Sequence, residues 1–274
     1  MMVGALVYFF VPALVGVLIG IASGLLGIGG GTVMVPIFSL AFGMSATMST
    51  ATSLFAIIPT SISGAISHVK GKTCIPALGI AAGLGGACLS PVGVWLAQLS
   101  PDWLVRLAAA LIIGYSAINM FKKAFKLRPA GQPAAGVDAS APTADYSSLS
   151  LKQLLQGAAI GLVAGLASGY VGVGGGFIMV PLMLSIIGIP MRKASGTSLI
   201  AVMILAIPGV IEQGIIGNIN YLAGIAIVIG TIPGAVIGAR LVTKVPERTL
   251  RLLFGCFLIV AAVMLVLNEV GIFG

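Results

Sequence analysis

Gly24-Leu25-Leu26-Gly27-Ile28-Gly29-Gly30-Gly31-Thr32-Val33-Met34-Val35-Pro36 and Gly169-Tyr170-Val171-Gly172-Val173-Gly174-Gly175-Gly176-Phe177-Ile178-Met179-Val180-Pro181 carry one signature twice. Each stretch lies between two apolar runs. Three adjacent glycines inside apolar sequence are costly for a helix, because glycine loses the most backbone freedom on ordering. Something must require bare backbone there. In an apolar chain, a helix interrupted at membrane depth meets that requirement, with free amides facing a cavity. The two breaks are expected to face each other and to bind an anion.

The surroundings support a membrane setting. The chain has 274 residues, of which 59% are hydrophobic and 7% charged, and its mean hydropathy is +1.19. A soluble domain has about 25% charged residues. A membrane β-barrel would show alternating segments of about 10 residues, and this chain does not. The expectation is an all-α polytopic membrane protein. The formal net charge of +8 reads as a topology signal on cytoplasmic loops. Nucleic-acid binding would need a basic face with base-reading residues, which the sequence lacks. Met1-Met2-Val3-Gly4-Ala5 has no basic n-region, so the N-terminal apolar run reads as a first span and not as a cleaved signal. Cys74, Cys88 and Cys256 are isolated in or beside apolar runs and read as buried, inert thiols.

Displaced by 145 residues, the sequence matches itself. Gly16–Pro36 and Gly161–Pro181 are identical at 12 of 21 positions without a gap. Thr52-Ser53-Leu54 then matches Thr197-Ser198-Leu199, Pro101 matches Pro246, and Arg106 matches Arg251. Nearly the whole membrane unit is duplicated. The division is a first membrane repeat over 1–125, a solvated linker over 126–152 and a second repeat over 153–274. The linker holds Pro129, Pro133 and Pro142 among alanines and small polar residues.

Apolar segments fall at 3–25, 31–43, 47–68, 74–98 and 103–121, then at 154–171, 176–188, 195–216, 221–239 and 249–270. The second and seventh are too short to span about 30 Å of hydrocarbon and read as short broken helices. Basic clusters (Lys70 and Lys72; Lys122, Lys123, Lys126 and Arg128; Arg192 and Lys193; Arg240, Lys244, Arg248 and Arg251) all follow odd-numbered segments. If all ten segments cross, one side receives nearly every cation, and that side is the cytoplasm. Five segments per half then make the repeats inverted. If the short segments dip in and return, the clusters divide between the two sides.

Candidate substrate-binding residues follow from this arrangement. Where a helix restarts after Gly31 or Gly176, its first amides have no intrahelical acceptor and present the positive end of the helix dipole. Gly29, Gly30 and Gly31 with Gly174, Gly175 and Gly176 therefore form the expected anion site. The competing reading is close helix packing through small residues. Thr52, Ser53, Thr197 and Ser198 add hydroxyl donors without fixed charge. For a single hydroxyl, interhelical bonding is the simpler role. Arg192 and Lys193 can attract an anion at the cytoplasmic mouth or serve topology alone; the matched Thr47 and Met48 are neutral. His68 and Glu212 are candidates for proton coupling, or residents of the interface. Asp102 and Glu247 read as helix-start acids or loop ion pairs.

Enzyme chemistry is not expected. One histidine rules out an HExxH site, and the glycine stretches lack the Lys-Ser/Thr of a P-loop. No metal and no cofactor is expected.

Gly27-Ile28-Gly29-Gly30-Gly31 with Val35-Pro36, and Gly172-Val173-Gly174-Gly175-Gly176 with Val180-Pro181, followed by Thr52-Ser53 and Thr197-Ser198, resemble the sulfite exporter TauE/SafE family, also called the 4-toluene sulfonate uptake permease family. The resemblance covers both halves outside the linker. It implies a secondary transporter of sulfur-containing anions (sulfite, sulfoacetate, taurine or other sulfonates) in a bacterial-type cytoplasmic inner membrane. Members of that family export or import. The partners expected are a small anion, the lipid bilayer and a coupling proton; small-residue faces permit a homodimer. An anion channel and a membrane sensor or subunit that binds without transporting are the alternative readings.

Overall fold

A computed structural model describes residues 2–126 and 150–269. The expected linker, apart from its two ends, lies outside the described residues. The rest forms ten helices and, among the described residues, no strand. The first half contributes α1 (Met2–Leu26), α2 (Gly31–Phe42), α3 (Ala46–Lys70), α4 (Pro76–Leu99) and α5 (Asp102–Lys126). The second contributes α6 (Leu151–Val171), α7 (Gly176–Leu182), α8 (Met191–Ile216), α9 (Tyr221–Leu241) and α10 (Glu247–Glu269). A wider π-type turn, Met183–Ile187, continues α7. Helices α3, α4, α5, α6, α8 and α9 hold stretches long and apolar enough to cross a bilayer. The chain is an all-α polytopic membrane protein.

The halves interlock. Helix α1 packs on α9, and α6 packs on α4, in both cases across the duplication. Gly16, Gly20 and Gly24 meet Ile227, Thr231 and Ala235 in ascending order, so α1 and α9 run parallel. Gly157, Gly161, Gly165 and Gly169 meet Leu78, Ala82, Gly86 and Ser90 in the same way along α4. These contacts pass backbone against backbone: a methyl on Gly161 would overlap the Ala82 carbonyl oxygen. Small residues at one-turn intervals permit such approach, and lipid supplies no competing hydrophobic drive. Helices α3 and α8 cross at the centre, and α5 pairs with α10. Exchanging the two halves maps this pairing onto itself.

Cross-contacts define two ends of the bundle. At one end, Lys193 Nζ donates to the Lys72 carbonyl at 2.8 Å, Arg192 donates to the Val245 carbonyl at 2.9 Å, and Lys123 donates to the Pro181 carbonyl at 3.2 Å. The segments after α3, α5, α7 and α9 therefore meet there, and the basic residues with them. At the other end, Tyr170 donates to Ser100 at 3.0 Å and the Asn220 amide donates to Thr52 at 3.0 Å.

Two expectations need correction. Arg192 and Lys193 stand in the first turn of α8, not in a loop before it. Cys74 is buried, but Cys88 and Cys256 are exposed on the helix surfaces. Burial pushes the Cys74 thiol up, opposed by the charge of Lys193.

Candidate functional site

Both glycine stretches are breaks between helices. Gly27, Gly29 and Gly30 have φ of 76°, 83° and 86°; Gly172, Gly174 and Gly175 have 72°, 86° and 67°. Side chains rarely adopt that left-handed region. Helix bonding resumes only at Val33 and Met34, which donate to the Gly30 carbonyl, and at Ile178 and Met179, which donate to the Gly175 carbonyl. The amides of Gly31 and Thr32 precede it, as does that of Phe177. Gly176 donates to the Gly174 carbonyl.

The two breaks touch. A methyl on Gly31 would lie 2.7 Å from the Val173 carbonyl oxygen, and one on Gly176 would lie 2.5 Å from that of Gly27 and 2.8 Å from that of Ile28. Ile57 of α3 is wedged between them, against Gly29, Gly31 and Gly174, and Val202, its counterpart in the repeat, closes on Gly29. Residues 27–31 and 172–176 are buried. None of them lines the groove between α5, α6 and α7 or the two cavities beside Lys70.

The hydroxyls singled out from the sequence hold this region together. Ser198 donates to the Gly27 carbonyl at 2.7 Å, and Ser53 to the Gly172 carbonyl at 3.1 Å. These are equivalent bonds, each from one half to the other. Thr197 accepts from the Ile75 amide at 2.9 Å, as Thr52 does from Asn220, so each caps the start of a helix in the opposite half. The oxygens of all four thus already have protein partners.

Sequence reasoning missed a second set of hydroxyls. Ser23, Thr32, Ser61, Ser90 and Ser168 are buried, and their oxygens have no hydrogen-bond partner among the described residues. The Ser61 oxygen would lie 3.5 Å from a methyl on Gly29. The Ser23 and Ser168 β-carbons would lie 3.7 and 3.4 Å from methyls on Gly30 and Gly175. Thr32 is itself in the first turn of α2. Native interiors satisfy most buried polar groups, so each orphan needs a reason. A signal existed for two of them: Ser23 and Ser168 are equivalent positions, identical inside the 21-residue match. Ser61 and Ser90 face Ala206 and Ala235 in the repeat, so the duplication gives no hint of them.

The ionisable candidates divide. His68 is fully enclosed by protein, in the last turn of α3. Its Nε2 lies 2.8 Å from the Gly24 carbonyl oxygen and its Nδ1 2.7 Å from the Thr73 hydroxyl. It also abuts Gly196 of α8. A proton on Nε2 follows, since a carbonyl can only accept. Glu212 is half-buried, with one carboxylate oxygen unpartnered. Arg192 and Lys193 bond main-chain carbonyls at the basic end, within one turn of Ser195, whose backbone abuts Gly27 of the first break. Glu247 accepts from the Met191 amide and pairs with Arg251 one turn on. Among the described residues there is no cluster of metal-ligating side chains.

Comparison with known proteins agrees with this architecture. The model of the family described as Sulfite exporter TauE/SafE matches residues 12–265. The probable membrane transporter protein YunE of Bacillus subtilis is 28% identical over 97% of this chain and 99% of its own length. A probable membrane transporter protein of Haemophilus influenzae is 29% identical over 93% and 97%. YdhB of Bacillus subtilis, also named a probable membrane transporter protein, is 27% identical over 85% and 90%. No solved structure matches the chain. A family match that runs through both glycine breaks and both halves leaves one conclusion: the chain belongs to the TauE/SafE sulfite exporter family and is a multi-pass membrane transporter.

Proposed function

We propose that the protein is a secondary transporter of sulfur-containing anions, sulfite and organosulfonates, in a cytoplasmic membrane. One observation carries this reading. Two interrupted helices meet inside the bundle, and the oxygens of Ser23, Thr32, Ser61 and Ser168 beside them lack protein partners. Backbone amides and hydroxyls suit a sulfonyl or sulfite oxygen. Being neutral, they bind weakly enough to release. The family description supports sulfite as the type of substrate.

The mechanism proposed is alternating access between two inverted repeats. Helices that correspond across the duplication run in opposite directions, which supports the inversion. The breaks are enclosed in this conformation, so the substrate enters only when helices around them shift relative to the rest of the bundle. An inside-negative potential favours export of an anion by about 2.3 kcal/mol per charge per 100 mV. Uptake requires a coupled cation, and His68, bonded to the carbonyl three residues before the first break, is the proposed proton carrier.

Purified protein in liposomes tests this. Sulfite or sulfonate counterflow is expected, with carboxylates moving more slowly. Gly30→Leu and Gly175→Leu should each abolish flux while the protein remains in the membrane. Full transport by both variants refutes the role of the breaks. His68→Gln should keep counterflow and lose the response to a pH gradient.

A further inference from the structure

A groove of about 800 Å³ runs down the outside of the bundle between α5, α6 and α7. Its walls are apolar over most of their length, with Leu96, Ile112, Val163, Leu166, Ile178 and Leu182 facing in. On α5 it extends from Ala108 to Lys123. At about 1.5 Å per residue that is about 22 Å, more than one leaflet's share of the roughly 30 Å hydrocarbon layer. Its length and apolarity suit an acyl chain.

One end differs. Asn119, Lys123 and Ser185 gather there, and Ser116 lies about halfway along the α5 wall. Lys123 donates to the Pro181 carbonyl and to the Ser185 hydroxyl, both neutral, and among the described residues no carboxylate pairs with it. Its ammonium group therefore has only neutral bonded partners at this end of the groove. This is the basic end of the bundle, and Lys123 is half-buried, not extended into solvent.

The duplication supplies a control. The positions equivalent to Tyr115, Ser116, Asn119, Lys123 and Ser185 are Val260, Ala261, Met264, Asn268 and Leu40. The other half builds the same helix arrangement without this cation and with almost none of these polar groups. The fold does not require them, so they serve something particular to this groove.

We propose that the groove binds an anionic phospholipid of the surrounding bilayer, with an acyl chain along α5 and the phosphate on Lys123. Basic pockets between membrane helices recognise lipid headgroups in this way. The lipid would lie against Ile178 and Leu182, on the short helix that restarts after the second break. The assignment does not depend on the substrate proposed above.

Native mass spectrometry of the full-length protein, with phosphatidylglycerol and phosphatidylcholine of identical chains, tests it. Phosphatidylglycerol should be retained preferentially. Lys123→Gln should lower its occupancy about fivefold, towards the phosphatidylcholine level, as removal of one basic contact implies. Lys122→Gln, one residue away and exposed, should change nothing. Ile112→Trp, which narrows the channel but keeps the cation, should displace both lipids. Equal retention of the two lipids by the unmodified protein overturns the proposal, as does undiminished phosphatidylglycerol binding by Lys123→Gln. If Lys123→Gln fails to accumulate, unchanged lipid occupancy in Ile112→Trp overturns it instead. A dimer that seals Tyr115 from lipid would overturn it too.

Discussion

Ser53 and Ser198 do the opposite of Ser23, Ser61 and Ser168, although all five are buried serines near the same two breaks. Ser53 spends its hydroxyl proton on the Gly172 carbonyl, and Ser198 shares its own between the Gly27 and Ser195 carbonyls. The other three have no protein partner. This difference yields a prediction with opposite signs. Ser198→Ala leaves a buried carbonyl unpaired and should destabilise the protein by about 1–3 kcal/mol. Ser61→Ala removes a group that has nothing to lose, so its unfolding midpoint should be unchanged or slightly higher. Its transport KM for sulfite or a sulfonate should nevertheless rise about tenfold, the effect of one lost hydrogen bond to a charged ligand. Thermal unfolding in detergent and counterflow in liposomes measure the two quantities separately. A Ser61→Ala protein with unchanged KM would remove Ser61 from the site.

The elements themselves were largely legible in the sequence. Tri-glycine in apolar surroundings is a local feature, so both breaks and the shortness of α2 and α7 could be read directly. The helix ends could not. Helix α3 runs two residues beyond its apolar run, to Lys70, whereas α5 runs about a turn beyond its own, to Lys126, and α8 starts about a turn before its own, at Met191. Hydropathy measures the hydrocarbon layer, whereas helical bonding continues into the interface. That is why Arg192 and Lys193 looked like a loop. Nor does a glycine's identity disclose its role. Gly161 presses on the Ala82 carbonyl of α4, whereas Gly43 ends α2 with φ 63° and open space around it. Gly161→Val should separate α4 from α6 and remove the monodisperse peak on size exclusion. Gly43→Ala should keep that peak, at a cost of about 1–2 kcal/mol for its left-handed backbone. Equal tolerance of both substitutions would show that the α4–α6 seam does not depend on close backbone approach.

At the scale of the whole molecule, the cross-half packing constrains how it can move. Helix α1 is fixed to α9 and α6 to α4 by backbone contact, so each half holds the other's first helix. No hinge can simply separate residues 2–126 from 150–269. Motion must instead divide the bundle along a surface that carries fewer such contacts. The crossing of α3 and α8 is a candidate: it bears Ile57 and Val202, which close the space between the breaks. At the basic end, that crossing is fastened by Lys193 to the Lys72 carbonyl, by Thr197 to the Ile75 amide, and by His68 against Gly196. If opening towards the basic side unfastens it, a tether there should stop the cycle. Cysteines introduced as Lys72→Cys and Lys193→Cys in a Cys74→Ala, Cys88→Ala, Cys256→Ala background, bridged by a reducible bifunctional thiosulfonate, should lose at least about tenfold in counterflow. A reductant should restore it, and either cysteine alone should be insensitive to the reagent. Transport that continues at full rate through the bridged protein would place the moving surface elsewhere, between α5–α10 and the remaining helices.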